Sequence, residues 1–589
     1  MLSSALANNL TAYFPFHNDN EVVTHEELLW NIWQEQPYEG LLVIQHNRIE
    51  DLGLNLLLRI PQIKIILTKD SRLEYKHKIG NSNILTIIMV SGYLNMEIME
   101  ATAVTLNYMR QVRILWLVEN VTDTEGFKDL VLQQSQYHKM TNVILHFVEL
   151  RDVYHFIKPY PKYHWTSGSV KDNNGAYYPQ HWWNLQNMTL LTDVDLISPR
   201  ALIYEDQNKN IKLNGLVVRM VLLFAEYFNA TLKMYHPLEV GKKLTHFSVI
   251  LEMVDENLLD IPMAVDGSYD DRWFNMTDPY EIDQIMIMVP LSPQYTLHEI
   301  FGVLMDPLFF ACLMGFSLLL SLAHVVIDYY ADGVWRLMDI LMSEKVFPGL
   351  MDQAFLIRTS EWWSHRIIFF LIGFTGLNLY AQFSGRMNSL FTSPPYHPQV
   401  RTFAELKRSQ IKLLVDIADA RKLGYFYSER NINAIYTNTS NFIEVRASLD
   451  NTYCYFVRTD SWSIFDEIQK YFSKKIFHVP DDLVLFSLAM WGFKLQFNSP
   501  FKEPLNYLIH QVRSYGLREA WRRSVVSDLL KLKEISLWEP NPTVERMYLT
   551  VDDLFWVWVM VAVGCSGGAV VFFVELCISR KRWRIFTCS

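Results

Sequence analysis

The sequence predicts a membrane protein whose water-facing part is α/β and is divided in two by membrane-spanning helices. Three observations predict it. Two apolar segments, Pro307 to Ile327 and Leu554 to Ile578, are each long enough to cross a bilayer. Short apolar runs alternate with helical patterns before the first segment and again ahead of the second. The triplets that accept N-linked glycan fall only before residue 307 or between residues 391 and 554.

The first segment, PLFFACLMGFSLLLSLAHVVI, has no charged residue, and only His324 in it titrates. At 1.5 Å per residue it reaches about 32 Å, enough for a hydrocarbon core of roughly 30 Å. The last segment carries Trp556 and Trp558 near one end, as aromatic belts do. Arg580, Lys581, Arg582 and Arg584 follow it directly and place that end in the cytoplasm by the positive-inside rule. A third span is expected from Ile367 to Phe383, continuing as an amphipathic stretch to Phe391. Asn378, Gln382, Ser384 and Arg386 make it too polar to face lipid, so a pore-lining helix is expected. A buried helix of a soluble domain is the other reading of that pattern.

The acceptor asparagines are Asn9, Asn120, Asn187, Asn229, Asn275 and Asn438, while Asn541 is excluded by the proline after it. One topology fits them. The N-terminus is outside, the first span crosses inward, the polar span returns, residues 395–548 are outside, and the last span ends in the cytoplasm, as at a plasma membrane. The opening MLSSALANNLTAYF lacks the basic and apolar regions of a signal peptide, so the true start is expected upstream.

Residues 1–195 are expected to form an N-terminal α/β domain, from the runs Leu41–Ile44, Ile63–Leu67, Ile84–Val90, Ile114–Val118 and Val143–Val148, with a helix over Met96–Met109. The aromatic stretch Tyr160–Trp183 reads as a linker. Residues 196–300 hold a strand at Ala201–Tyr204 and an amphipathic helix at Leu216–Phe228. Residues 395–548 mix helices (Phe403–Arg408, Trp462–Phe472, Pro504–Tyr515, Leu517–Ser524) with strands (Ile411–Val415, Tyr453–Val457).

Half of the residues are hydrophobic and the net charge is −10, without a long basic run, which argues against nucleic acid as a partner. Five cysteines are too few for a disulfide scaffold, and no intrachain disulfide is expected outside the membrane. No metal spacing, P-loop, nucleophile elbow or paired catalytic carboxylates are seen, so neither an enzyme nor a cofactor is expected.

Four stretches then carry a resemblance over about residues 196–578: Leu213-Asn-Gly-Leu with the helix to Asn229; Arg272-Trp-Phe-Asn-Met-Thr-Asp-Pro-Tyr280; Met387-Asn-Ser-Leu-Phe-Thr392 followed by Phe403-Ala-Glu-Leu406; and Thr452-Tyr-Cys-Tyr-Phe-Val457 with Gly516-Leu-Arg-Glu-Ala-Trp521. In this order around three spans the chain resembles the ionotropic glutamate receptor superfamily, and within it the divergent insect ionotropic receptors. The resemblance implies a bilobed, periplasmic-binding-protein-like ligand-binding domain, with lobes at 196–300 and 395–548, interrupted by a helical channel domain. That domain would comprise a helix at 307–327, a re-entrant pore region at 328–364 and a gate helix at 365–391. A last helix at 554–578 and a tail at 579–589 would follow.

It also implies roles. Arg272 falls where the family clamps a ligand carboxylate, a task suited to a two-pronged guanidinium; a surface pair with Asp270 or Asp271 is the other reading. Arg458 falls where glutamate receptors hold the ligand's ammonium with an acid. A cation there would repel an amino group and point to an acidic or neutral ligand, unless Arg458 is simply a solvated strand residue. Gln382, Ser384, Gly385 and Arg386 match the gate, where Arg386 is expected to reach outer headgroups rather than the pore. Asp352 and Gln353 match the pore-loop tip, or lie in a plain cytoplasmic loop. The implied function is a chemosensory ligand-gated cation channel subunit, opened by lobe closure on a small odorant, tastant or pheromone-like molecule. The implied assembly is a hetero-tetramer with a co-receptor. A non-conducting receptor that keeps the clamp is the alternative.

Overall fold

The computed structural model describes residues 23–45, 62–78, 83–92, 96–150, 152–171, 175–206, 208–238, 246–267, 273–333, 338–341, 343–355, 362–420, 432–532, 535, 537–539 and 554–586. Asn9 and Arg272 lie outside the described residues, as do residues 334–337, 342 and 356–361 of the expected re-entrant region. The chain divides into two compact units: Met1–Val289 with Gln410–Lys474 and His478–Pro540, and Pro290–Ser409 with Lys475–Phe477 and Asn541–Ser589.

The first unit begins with helix α1 (Val23–Glu35) and a seven-stranded sheet. Its strands are β1 (Gly40–Gln45), β2 (Ile63–Thr68), β3 (Ile84–Ser91), β4 (Arg113–Glu119), β5 (Val143–Phe147), β6 (Val153–Lys158) and β7 (His164–Ser169), in the order β2-β1-β3-β4-β5-β6-β7. The pairs from β2 through β5 are parallel, and β6 and β7 close the edge antiparallel. Helices α2 (Met96–Thr105) and α3 (Thr124–Tyr137) cross between strands. All five apolar runs are therefore strands. They read as continuous runs because a parallel sheet is covered on both faces, and β4 and β5 are buried almost throughout.

The stretch expected to be a linker is built into the fold. It supplies β7, and Tyr177 and Tyr178 are buried, Tyr178 donating its hydroxyl to the Ile114 carbonyl at 3.1 Å. Aromatic residues near glycine read as loop from sequence, yet here they cap one face of the sheet.

A second core follows. Strands β8 (Met188–Thr192), β9 (Leu202–Glu205) and β10 (Ile211–Asn214), helix α4 (Leu216–Tyr227), strand β11 (Ala230–Met234) and helix α5 (Phe247–Asp255) precede the long strand β12 (Glu281–Pro290). β8 pairs parallel with β11, and β9 antiparallel with β10. The buried face of α4, Val217, Val218, Val221 and Phe224, meets Leu505, Leu508 and Ile509 from much later in the chain.

The second unit holds helices α6 (Leu297–Leu304), α7 (Pro307–Asp332), α8 (Val346–Leu350), α9 (Trp363–Thr392) and α10 (Phe403–Arg408). Asp306 caps α7 with Pro307 in its first turn, and Gly333, at φ 70°, ends it. Leu313, Leu320, Val346, Ile368 and Ile372 join α7, α8 and α9. The buried side of α7 also carries Ser317, Ser321 and His324, and Asp328 meets His365 of α9 at 2.9 Å.

Returning to the first unit, strand β13 (Lys412–Asp416), β14 (Ala434–Thr437), helix α11 (Thr439–Ala447), strand β15 (Tyr453–Arg458), helix α12 (Thr459–Gln469), strand β16 (Val484–Trp491) and helices α13 (Lys502–Ser514) and α14 (Leu517–Lys531) complete it. β12 lies beside β15 and β16, both antiparallel, and β15 continues the sheet through β13 to β14. Helix α15 (Phe555–Phe586) is last and belongs to the second unit. Three helical segments are long and apolar enough to cross a membrane: Leu297–Ala331, Trp363–Thr392 and Val557–Val574. They coincide with the three spans expected from the sequence.

Candidate functional site

In the first unit, the C-terminal ends of β13, β15 and β16 meet the start of α5 and one face of α11 around a cavity of about 120 Å³. Its walls come from two stretches separated in sequence by two helices long and apolar enough to cross a membrane. Ile197, Arg200, His246 and Phe247 lie before them, and Asp416, Asp419, Phe442, Arg446, Arg458 and Trp491 after them.

Arg200 is pinned by the backbone. Its carbonyl accepts the Val217 N–H at 3.0 Å, at the head of α4, and Gly215 lies against it with φ 117°. A Cβ at Gly215 would overlap the Arg200 carbonyl, so the Asn-Gly step has a steric cause. The Arg200 guanidinium meets Asp195 at 3.2 Å and covers the Phe247 ring at 5.5 Å. His246 caps α5 by accepting the Ser248 N–H on Nδ1, which turns Nε2 toward Asp419 at 3.6 Å.

Arg458 ends β15 opposite Ile285 of β12. Its Nη1 donates to Glu281 at 2.8 Å, and its guanidinium lies 4.8 Å from the Trp491 ring centroid. Gly267 makes room for that indole, since a Cβ there would stand 2.8 Å from its ring. Glu281 is completely buried, and Arg518 also approaches it, at 3.6 Å. Burial raises the Glu281 carboxyl, but Arg458, Arg518 and Arg200 outweigh that and hold it below its ordinary value. Behind the cavity, Asp283 and Asp460 join Glu281, so three buried carboxylates face the guanidiniums of Arg458 and Arg518. Burial pushes Asp283 up to about 7, with Asp460 and Glu281 adding to it against Arg458 and Arg518.

Arg446 differs from the other two wall arginines. Its guanidinium covers the Phe442 ring at 5.0 Å, one turn back on α11, and among the described residues it makes no hydrogen bond or ion pair. Burial lowers it to about 10, and Arg458 and Arg200 press the same way, opposed chiefly by Asp419, so it stays charged at neutral pH. The cavity therefore presents two arginines already held by buried acids and one available to an anion.

Of the expected site residues, Arg458 reaches the cavity, as a half-buried cation paired with Glu281. Arg386 donates to Asp306 at 3.0 Å, joining α9 to the cap of α7. Gln382 and Gly385 are exposed and Ser384 half-buried along α9. Asp352, at φ 58°, and Gln353 are exposed in the turn after α8. Asn120, Asn187, Asn229 and Asn438 are exposed; Asn275 is half-buried with its amide oxygen closed off. Sequence reasoning missed Arg200, Arg446, His246, Glu281 and Trp491. Glu281 left a trace, as an acid directly after Tyr280 at the head of an apolar strand.

No protein-family model and no curated protein matches this chain.

Proposed function

We propose that this chain is a chemosensory ligand-gated cation channel subunit whose extracellular part is a bilobed, periplasmic-binding-protein-like clamp. One lobe is the core around α4, α5 and α13. The other is the sheet of β12, β13, β14, β15 and β16. The carrying observation is the cavity whose walls come from chain stretches on either side of the membrane helices. A ligand that draws Arg200 and His246 toward Arg446 and Asp419 closes the clamp. Because α9 runs in sequence to α10 and β13, closure pulls on the end of the expected gate helix.

Arg446 supports an acidic ligand, with Phe247, Phe442 and Trp491 supplying an apolar wall beside it. An organic acid of odorant or tastant size fits this chemistry, and the Arg trio disfavours an amine. The alternative is a non-conducting receptor that keeps the clamp. Pairing of Arg386 with Asp306 weakens one motive for that alternative, because the cation is engaged away from a lone role in the pore.

Currents from cells expressing the chain with a co-receptor subunit test the proposal. Short-chain and aromatic carboxylic acids should evoke cation current, and the corresponding amines should not. Surface-delivered chain that binds acids without passing current would favour the non-conducting reading. Epitope tags near Asn229 and Asn438 appearing on opposite sides of the membrane would overturn both.

A further inference from the structure

A second cavity in the first unit, of about 500 Å³, has no part in the clamp. It lies at the amino ends of β3 and β4 and just before β5, and Pro500 and Glu503 at the start of α13 close it. Its size is that of small-molecule sites, which run roughly 300–1,000 Å³.

Its lining is polar and under-partnered. Tyr160 and Thr141 are each only 5% exposed, and among the described residues neither hydroxyl has a hydrogen-bond partner. The Asn142 Oδ1 is closed from solvent, and its Nδ2 donates to the Gln111 carbonyl at 2.6 Å. The Tyr160 and Thr141 hydroxyls are not closed from solvent in this way, so both open on the cavity and can bond a polar occupant there. The charges do not call for an ion. Arg113 already donates to the Gln36 carbonyl at 2.5 Å and to Asn83 at 2.9 Å. Lys76 and Glu503 are one cation and one anion. Burial, with Lys158 adding, lowers His181 to about 4, leaving it neutral at physiological pH. Tyr108 and Trp182 add flat aromatic faces.

We infer that this cavity is a binding site for a neutral polyhydroxylated solute of sugar size, whose hydroxyls both donate to and accept from Tyr160 and Thr141. The ligand would also brace a joint. Across the same seam the Tyr108 N–H donates to Asn498 at 2.6 Å, and Lys139 to Gln496 at 2.7 Å.

Titration of the purified full chain with D-glucose and with sucrose tests this, read by calorimetry and by tryptophan fluorescence, with D-glucuronate as the charged counterpart. No channel activity enters, so failure here is separate from failure of the clamp reading. At least one neutral sugar should bind saturably. Tyr160→Phe and Thr141→Val, which remove only the hydroxyls, should each weaken it about tenfold while the thermal midpoint holds. Absence of saturable binding by both sugars, tighter binding of glucuronate, or unchanged affinity in both variants would overturn it.

Discussion

Arg458 donates to Glu281 at 2.8 Å between neighbouring strands, and the acid it meets has no exposed surface. Removing the arginine alone strands a buried charge, which costs about 3–5 kcal/mol. Arg458→Leu should therefore lower the thermal midpoint of the detergent-solubilised chain sharply. Pairing it with Glu281→Leu should recover most of that loss, because a fully apolar pair carries no orphaned charge. A double variant no more stable than the single one would show that Arg518 and Asp460, not this pair, hold the charge network.

Arg446 should behave in the opposite manner. It lacks an acidic partner among the described residues, so Arg446→Gln should shift stability little. A charge-assisted hydrogen bond to a ligand is worth about 1.5–3 kcal/mol, so affinity for an activating acid should fall by about ten- to a hundredfold. Dose–response curves with the acid and with its uncharged ester check this: the ester should be insensitive to the substitution.

Asp283 makes stability depend on pH near neutrality. Its value rises from 3.8 to about 7 in the folded chain. A folded value above the unfolded one stabilises the fold fully below about pH 4, and that contribution is lost as pH rises through 7. Asp283→Asn should flatten the fall in thermal midpoint between these values. An unchanged pH profile would assign the proton to another group of the cluster.

Arg386 and Asp306 predict a charge swap. Each single reversal should reduce assembly or agonist response by placing like charges together. Arg386→Asp with Asp306→Arg should restore part of it, as a double-mutant cycle on current amplitude and surface biotinylation would record.

Gly376 of α9 sits against the Gly349 carbonyl of α8, where any Cβ would overlap it. Small residues allow such close approach between helices. Gly376→Val should cut surface delivery or current severely while leaving acid binding by the clamp intact, measured as ligand-induced thermal shift.

The secondary elements were legible because their patterns are local. The runs from Leu41 to Val148 announce buried parallel strands, and Pro307–Ile327 announces its helix by composition. Tyr160–Trp183 misled because its aromatics find partners on β4 and in the second core, which no nearby residue reveals. The site was half legible. Arg458 stands next to a recognisable strand, but its partner Glu281 lies 177 residues away. Arg446 sits on a helix without a strong apolar stripe, so nothing local distinguishes it from a solvated surface arginine.

That separation along the chain also orders biosynthesis. Glu281 leaves the ribosome 177 residues ahead of Arg458, with two helices long and apolar enough to cross a membrane in between. On the proposed topology, the early half of the clamp would wait in the lumen with an acid whose Arg458 partner is not yet made. Its completion would then be bound to correct insertion of the helices that follow. A nascent chain that mis-threads the bilayer would strand Arg458 on the wrong side and leave Glu281 exposed to quality control. Faulty topology would thus be converted directly into a folding defect that the cell can detect.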